Sequence, residues 1–299
     1  MPTVSVHMPV YNAERYLAEA VESVLGQTFP HFEFIIIDDG STDGSGAILE
    51  RFARRDPRIR LTRRENRGIT PTRNEALQQA RGDYFAVMDA DDIACAERFA
   101  RQVTYFEAHP ECVALGTRVL LIDADGAPVR EMSELTSHAE IDGEHIAGHG
   151  GAITHPSAMM RRAALVEIGG YREAFQTAED LDVFLRLAEC GAVANLPDVL
   201  LHYRQHVAST CHTRRQRVVE DNRAVVAEAR QRRNLPPVEA GNGSLPADDS
   251  VSAHHRKWAW WALAAGHVAT ARKHAWRAVR TAPFSSESWR AWVCALRGH

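Results

Sequence analysis

Hydrophobic and polar positions in the first hundred residues alternate between two periods, one typical of buried strands and one typical of amphipathic helices. Short apolar runs at 4–10, 34–37, 59–62 and 84–88 predict four strands. Between them, apolar residues three or four positions apart predict three helices. Strand–helix units of this length predict a parallel sheet with right-handed crossovers. Because the run at 34–37 is apolar on both faces, we expect it to be a central strand.

The start signals of the predicted helices set their expected bounds. Asn12 is expected to cap a helix that runs to Gly26, and a second helix is expected near 45–54. Thr70, which a proline follows, is expected to cap a third helix that ends at about Ala80.

The pattern after the fourth predicted strand is less regular. It predicts, in chain order, a strand over 113–122, a loop over 130–150, a strand-like stretch over 155–160, a helix over 181–190 and extended chain over 193–203. Near the C-terminus, two helices are expected to flank Gly266, with a stop at Pro283 and a third short helix after it. This spacing weakly matches one tetratricopeptide-like unit.

The same pattern divides the chain into four regions. We expect a large α/β domain over 1–212, a connecting helix over 213–233 and a small helical region over 251–299. The segment between them, 234–250, is rich in Pro, Gly and Asp and therefore predicts a linker.

Composition is ordinary for a globular protein that binds no nucleic acid. The 299 residues are 45% hydrophobic and 25% charged, and the formal net charge is −4. The N-terminus lacks the features of a signal peptide, and no apolar run approaches the length of a membrane span. The five cysteines are scattered without metal-binding spacing, which favours a reducing compartment. We therefore predict a cytoplasmic protein.

Net positive charge and tryptophan are concentrated in the predicted helical region. Residues 251–299 contain eight Lys or Arg residues and one acid, and all six tryptophans of the chain lie there. Packing of a small helical core explains most of these tryptophans. A peripheral contact with the inner face of a membrane, or with a partner protein, stays open as a second interpretation.

The stretch 89–92 (DADD) carries the strongest chemical signal. It directly follows the apolar run 84–88, so three carboxylates stand at the end of a buried strand, where they repel one another and are costly to desolvate. A divalent cation would relieve both problems, and oxygen ligands suit Mg²⁺ or Mn²⁺. The alternative is a solvated acidic loop. Ligands of parallel sheets bind at the carboxyl ends of the strands, so 9–11, 38–39 and 89–92 are expected to meet in one crevice.

Several known site types are not signalled. No GxGxxG follows the first predicted strand, and neither a Walker A sequence nor a GxSxG elbow occurs. The sequence therefore gives no sign of a dinucleotide-binding fold, a P-loop NTPase or an α/β-hydrolase.

Five short motifs, in order, give the chain a family resemblance. They are 6–13 (VHMPVYNA), 36–43 (IIDDGSTD), 66–68 (NRG), 88–92 (MDADD) and 178–182 (AEDLD). Together they resemble family 2 glycosyltransferases over residues 3 to about 207. The resemblance implies a GT-A fold, which is Rossmann-like with a mostly parallel central sheet flanked by helices. It also implies transfer of a sugar with inversion at the anomeric carbon.

The resemblance implies a nucleotide-binding set at the first, second and fourth strands. Asp39 is expected to accept a hydrogen bond from the base, uracil being the usual partner, while Pro9 and Tyr11 frame that base. Arg73 is expected to contact the nucleotide or its diphosphate, although an exposed helix arginine explains it equally well. Asp89 is expected to contact the ribose or to order its loop.

The resemblance also implies a metal site. Asp91 of the DXD motif is expected to ligate Mn²⁺ or Mg²⁺, and His206 is a candidate for a further ligand. The metal would stabilise the nucleoside diphosphate as it leaves. A surface histidine explains His206 nearly as well.

The catalytic base implied by the resemblance is Asp180, which would take the proton of the acceptor hydroxyl. From spacing alone, Asp180 would instead cap a helix with Glu179 in its first turn. Glu179 and His155 are candidates for the acceptor side, where a lone histidine is more often a structural hydrogen-bonding group.

These expectations lead to one functional hypothesis and two alternatives. The hypothesis is a metal-dependent, inverting transferase that moves a sugar from a nucleotide donor to a glycan or lipid-linked acceptor in surface polysaccharide synthesis. A nucleotidyltransferase would normally place a Gly-rich basic loop after the first strand, where this chain has 11–15 (YNAER). A scaffolding protein of a glycan-assembly complex, without turnover, is the non-enzymatic alternative.

Overall fold

A computed structural model describes residues 1–206, 215–237 and 250–298. The chain forms two compact units. Among the described residues, the first unit contains 1–119, 133–202 and 218–237, and the second contains 120–132, 203–206, 215–217 and 250–298. The domain boundaries expected from the sequence stay a prediction, because residues 207–214 and 238–249 lie outside the described residues.

The N-terminal third alternates strand and helix, as the periodicity predicts. Its elements are β1 (Val4–Val10), α1 (Glu14–Leu25), β2 (Phe32–Asp38), α2 (Ser45–Arg55), β3 (Ile59–Arg63), α3 (Ile69–Gln79) and β4 (Tyr84–Val87). All seven positions of β2 are buried, which accounts for the apolar run at 34–37 within it.

The rest of the chain up to 237 mixes strands and helices of very different lengths. Its elements are β5 (Ile93–Ala94), α4 (Arg98–Ala108), β6 (Cys112–Ile122), β7 (Pro128–Met132), α5 (His138–Ile146), a 3₁₀ turn (His155–Ser157), β8 (Met159–Arg161), α6 (Arg162–Glu167), α7 (Glu179–Leu187), β9 (Ala192–Arg204) and α8 (Arg215–Arg232).

The strands form one sheet whose order is β3-β2-β1-β4-β8-β6-β9-β5, with β7 paired to β6. The first four strands run parallel, as predicted, and β2 lies between β1 and β3. Beyond β4 the direction changes, because β8 pairs antiparallel with both β4 and β6, and β5 pairs antiparallel with β9. The carboxyl ends of β1, β2 and β4 therefore lie side by side in the parallel half.

The second unit has an apolar core of its own. Its helices are α9 (Val251–Ala264), α10 (Val268–Thr281) and α11 (Ser286–Arg297), so the three expected helices are confirmed. Trp258 packs among small residues of these helices and among Leu121 and Val129. Gly266 joins the first two helices in a left-handed conformation with φ of 81°. The tryptophans of this core confirm that packing explains part of their clustering.

Two predicted helix caps are wrong. Asn12 has φ of 50°, and its side chain accepts a hydrogen bond from the Thr42 backbone at 2.8 Å, so it joins two loops and leaves α1 to begin at Glu14. Thr70 lies inside α3, which Gly68 precedes as the capping residue. The proline after Thr70 is tolerated there because the first turn of a helix needs no intrahelical N–H donors.

The loop expected over 130–150 is also wrong, because β7 and α5 lie within it. α5 begins with a capping box, in which the Ser137 side chain accepts from the Glu140 backbone and the Glu140 side chain accepts from the Ser137 backbone. The strand-like stretch at 155–160 is a 3₁₀ turn followed by the three-residue β8. In the parts of the chain that the structure describes, no helix is both long enough and apolar enough to cross a bilayer.

Candidate active site

The candidate site begins where β1 and β2 end side by side. The Asp39 backbone N–H donates to the Val10 carbonyl at 2.8 Å, which holds the two following loops together. Pro9 is half-buried near the end of strand β1, and Tyr11 follows the strand and is 55% exposed. The exposed ring of Tyr11 is therefore available to a planar ligand at this edge.

Asp39 is a buried carboxylate that organises the segment after β3. It forms an ion pair with Arg64, and it accepts hydrogen bonds from the backbone N–H groups of Arg67 at 2.9 Å and Gly68 at 2.8 Å. Arg64 also donates to Thr72 of α3 at 2.8 Å. Asp39 thus fixes the loop that leads into α3.

A cavity of about 490 Å³ opens beside this carboxylate. It is lined by Asp38, Gly40, Ser41, Arg63, Arg64, Glu65 and Asn66. Asp38 is tied into the wall, because its carboxylate accepts from the Ser41 backbone at 2.9 Å and from Arg63 Nε at 3.0 Å. Gly40 has φ of 83°, and a Cβ there would lie 2.8 Å from the Asn66 nitrogen, so the close approach of the two loops requires glycine.

Arg73 is the buried cation of the site. It projects from α3, forms an ion pair with Glu179 at the start of α7, and lies with Nη2 3.6 Å from Asp89 Oδ1 after β4. Its guanidinium carbon stands 5.6 Å from the centre of the Tyr171 ring. The alternative that Arg73 is an exposed helix arginine is therefore wrong, because the side chain is buried among acids and an aromatic ring. Its contact with a nucleotide stays a prediction.

The acids around Arg73 have shifted protonation equilibria. Burial raises the pKa of Glu179 to about 7, against the opposing charge of Arg73. Burial likewise raises the pKa of Asp89 to about 6, where Arg73 lowers it and the nearby Asp91 and Asp180 raise it further. Burial raises the pKa of Asp180 as well, although the Leu181 backbone N–H and Arg73 oppose the rise. Acids with such shifts in one crevice are typical of functional sites.

Asp180 does not cap α7. Ala178 is the capping residue, without a side-chain hydrogen bond, and Asp180 Oδ1 accepts from the Leu181 backbone at 2.8 Å inside the first turn. The helix-capping interpretation of Asp180 is therefore wrong. Asp180 therefore lies inside the first turn of α7, with Oδ1 held by the Leu181 backbone.

A buried aromatic pair completes the wall behind Arg73. His155 Nε2 lies 3.0 Å from the Tyr171 hydroxyl, and burial together with the Arg73 charge holds the pKa of His155 well below its usual range. Asn74 fixes Tyr171 by two hydrogen bonds, donating to its carbonyl at 2.8 Å and accepting from its N–H at 2.9 Å. His155 is therefore a neutral, hydrogen-bonded part of this wall, and its place on the acceptor side stays a prediction.

A divalent cation fits the chemistry of the Asp89 side of this site. Across the described ranges, no three His, Cys, Asp or Glu side chains are grouped closely enough to hold a metal ion by themselves. Asp91 and Asp180 nevertheless raise the pKa of Asp89, which means that negative charge accumulates there. Oxygen ligands from two aspartates plus substrate phosphates suit Mg²⁺ or Mn²⁺. His206 follows β9 in the second unit and stays a predicted ligand.

The structure thus brings together Arg73, Asp89, Glu179, Asp180 and His155, all of which the sequence singles out. Two other residues, Arg64 beside Asp39 and Tyr171 beside Arg73, were not expected. Arg64 could have been suspected from its place directly after β3 in the parallel half of the sheet. Tyr171 follows two glycines and carries no motif, so nothing in the sequence marks it.

Comparisons with known proteins agree with this geometry. The sequence model of the family described as glycosyl transferase family 2 matches residues 5–169, more than half of the chain. A relative named as a candidate glycosyltransferase, EpsE of Bacillus subtilis (strain 168), is 36% identical over 241 residues, which cover 79% of this chain and 84% of EpsE.

Two solved structures share the fold. One is residues 1–349 of S. aureus TarS in complex with UDP-GlcNAc, with a TM-score of 0.63 and 20% identity over 99% of this chain and 80% of that one. The other is the mannosyltransferase PcManGT of Pyrobaculum calidifontis in complex with GDP-Man and Mn²⁺, with a TM-score of 0.60 and 21% identity over 99% of this chain and 85% of that one. The expected fold class, a GT-A-like α/β sheet followed by a small helical region, is confirmed.

Proposed function

Because the chain belongs to glycosyl transferase family 2, we propose that it is an inverting, metal-dependent glycosyltransferase that uses a nucleotide-sugar donor. The donor is a UDP-sugar, and the acceptor is a glycan or a lipid-linked sugar of surface polysaccharide synthesis. Glycosyltransferase activity itself follows from the family. The single observation that carries the rest is the acidic crevice of Asp89, Glu179 and Asp180 around buried Arg73.

The nucleotide is held at the ends of β1 and β2. Asp39 accepts from the base, since its Oδ2 takes one backbone hydrogen bond in the structure and a carboxylate oxygen has room for a second. Pro9 and Tyr11 frame the base. The cavity of about 490 Å³ beside Asp39 is large enough for a nucleoside.

Arg73 and the aspartates after β4 have different roles around the diphosphate. Asp91, with Asp89 beside it, would hold Mn²⁺ or Mg²⁺, and the ion would add positive charge that stabilises the leaving diphosphate. Arg73 keeps Glu179 and Asp89 in fixed positions through its ion pairs. The guanidinium also supplies positive charge close to where the diphosphate oxygens lie.

Asp180 acts as the general base of a single displacement. The acceptor hydroxyl oxygen forms a bond to the anomeric carbon while the bond from that carbon to the diphosphate oxygen breaks. The hydroxyl proton passes to the Asp180 carboxylate, and the nucleoside diphosphate leaves with the bonding electron pair. Burial raises the pKa of Asp180, which makes its carboxylate a better proton acceptor than a solvated aspartate.

The neighbouring proteins support the donor class and the metal. TarS was solved with UDP-GlcNAc, and PcManGT with GDP-Man and Mn²⁺. We propose a nucleotide-sugar donor for this chain too, and a cytoplasmic location, as the scattered cysteines predict.

Two substitutions test the proposal in different ways. Asp180→Asn is expected to lower the rate of transfer by about 10²–10⁴-fold while UDP and Mn²⁺ still bind, because only the proton acceptor is lost. Asp91→Ala is expected to remove the Mn²⁺-dependent part of UDP binding, measured as thermal stabilisation across UDP, GDP, dTDP and CDP.

The matched control is Asp83→Asn, an exposed aspartate before β4, which is expected to change neither quantity. Unchanged turnover in Asp180→Asn would show that another group takes the proton. Equal stabilisation by UDP with and without Mn²⁺ would show that the enzyme needs no metal for its donor.

A further inference from the structure

The last helix of the second unit turns large apolar side chains towards solvent. We define the α11 face as the exposed apolar side chains of α11 and its surroundings. These are Trp276, Phe284, Trp289, Val293 and Leu296, which are 44%, 101%, 46%, 41% and 48% exposed. Apolar side chains grouped on a surface in this way usually mark an interaction site.

The spacing along α11 shows that the exposed residues share one side of the helix. Trp289, Val293 and Leu296 stand at positions i, i+4 and i+7. The fully buried residues of α11 are small, Ser288, Ala291 and Ala295, and Trp292 is partly buried against the same core. The side of α11 that faces solvent therefore carries larger apolar side chains than the fully buried side.

A ring contact connects α11 with the exposed Trp276 of α10. The Trp276 ring of α10 lies 5.2 Å from the ring of Trp292 on α11. Trp289 Nε1 donates to the Pro283 carbonyl at 2.8 Å, and Phe284 is the next residue along the chain. The indole N–H of Trp289 is thereby satisfied, and its ring is left for apolar contact.

Positive charge borders the surface. Arg280, Arg290 and Arg297 are exposed at its edges. Glu287 is the one acid between 251 and 299, and Arg256 engages it at 3.0 Å. The border therefore presents a net positive charge to whatever covers the α11 face.

The positive charge at the border distinguishes between the partners that an apolar surface could bind, a second copy of the chain or a lipid bilayer. A second copy of the chain would bring arginines against arginines, which costs free energy. An anionic bilayer matches the arginines and accepts aromatic rings at the level of its headgroups. We propose that the α11 face docks on an anionic lipid bilayer, with Trp289 and Phe284 in the interface and the arginines on the headgroups.

Docking of this kind would bring the enzyme to a lipid-linked acceptor. In that respect the inference rests on the proposed function. A bilayer holds such an acceptor in two dimensions, so an enzyme on the same surface meets it at a higher local concentration. Vesicle binding is measured without turnover. A failure of docking and a failure of the transferase proposal can therefore be told apart.

The test is co-sedimentation of the full chain with vesicles of phosphatidylglycerol and phosphatidylcholine, and with vesicles of phosphatidylcholine alone. We expect binding to the anionic vesicles only, and weaker binding at high salt. A variant with Trp289→Ser, Val293→Ser and Leu296→Ser is expected to bind about tenfold or more weakly. The matched control carries Val166→Ser and Leu235→Ser, which are exposed apolar residues of the first unit, and is expected to bind like the parent chain.

A second variant keeps the apolar residues and changes only the border. Arg290→Glu with Arg297→Glu is expected to lose anionic-vesicle binding while the circular dichroism spectrum stays unchanged. Equal binding of both variants and the parent chain would overturn the proposal. A dimer in light scattering that the triple variant converts to monomer would also overturn it, in favour of a second copy on the α11 face.

Discussion

Arg73 shows how a single residue can set the charge state of a site. It is buried and lies against Glu179, Asp89 and the ring of Tyr171. Burial would otherwise leave the two acids protonated, because a desolvated carboxyl holds its proton. Arg73 opposes that rise, so both acids titrate close to neutral pH, with pKa values of about 6 and about 7. Arg73 therefore both holds the neighbouring side chains in place and lowers the pKa values of the two acids.

Replacing Arg73 should destabilise the fold in a pH-dependent way. We expect Arg73→Gln to lower the free energy of unfolding by about 3 kcal/mol at pH 8, because it leaves buried acids without a counter-charge. Without Arg73 the folded-state pKa values of Glu179 and Asp89 rise further above their unfolded values. A group with a raised folded pKa stabilises the fold below its unfolded pKa and loses that contribution as pH rises. The deficit should therefore be smaller at pH 6, as urea unfolding at both pH values would reveal.

The control is Arg54→Gln, which removes an exposed arginine 3.9 Å from Glu50 on α2. It should cost less than about 1 kcal/mol at either pH. An Arg73→Gln deficit that is equal at pH 6 and pH 8 would mean that the acids stay ionised throughout.

Secondary structure elements differ in how well the sequence predicts them. β1, β2 and α1 carry uninterrupted periodic patterns, so their existence and approximate bounds follow from the sequence. α5 was missed because its interior contains glycine and histidine and lacks a clear apolar stripe. Its start signal, Ser137 followed three residues later by Glu140, stands in the sequence and could have indicated a helix.

The capping box of α5 can be tested directly. Ser137→Ala should lower the free energy of unfolding by about 1 kcal/mol, because the Glu140 backbone N–H loses its side-chain acceptor. Ser286→Ala, at the exposed first position of α11, is the control and should change stability by less than about 0.5 kcal/mol. Equal thermal midpoints for Ser137→Ala and the parent chain would show that water replaces the cap at no cost.

Local sequence signals of this kind do not predict the antiparallel half of the sheet. β8 has three residues, and its place between β4 and β6 depends on contacts between segments far apart in the chain. The candidate site shows the same division. Motifs predict Asp39, Asp89 and Asp180, whereas Tyr171 takes its place through hydrogen bonds to Asn74, which no local pattern encodes.

At the scale of the whole molecule, each of the two units has its own buried charge cluster. In the second unit, Asp123 lies in the turn between β6 and β7, pairs with Lys273, and has Oδ2 2.9 Å from His274 Nε2. Burial alone would raise the pKa of Asp123, but hydrogen bonds from His274 and Lys273 hold it well below the usual range. The folded second unit therefore favours the ionised form of this carboxylate.

Asp123→Asn should weaken the second unit most at neutral pH. A group with a lowered folded pKa stabilises the fold above its unfolded pKa, and that contribution is lost as pH falls through the folded value. We expect a loss of about 3 kcal/mol at pH 7, and a smaller difference between variant and parent at pH 3, in calorimetric unfolding. Asp125→Asn, in the same turn but about half exposed, should cost less than about 1 kcal/mol. If the difference in unfolding free energy is the same at pH 3 and pH 7, the charge of Asp123 does not contribute to stability and its role is steric.

The placement of all six tryptophans between 258 and 292 has a spectroscopic consequence. These residues belong to the second unit, whereas the proposed donor pocket belongs to the first. Indole emission is therefore an intrinsic optical signal from one unit only. If adding UDP and Mn²⁺ leaves the emission spectrum unchanged, the two units respond independently to the donor. A shift in the spectrum would report communication between them, and its dependence on UDP concentration would give the affinity for UDP without any attached label.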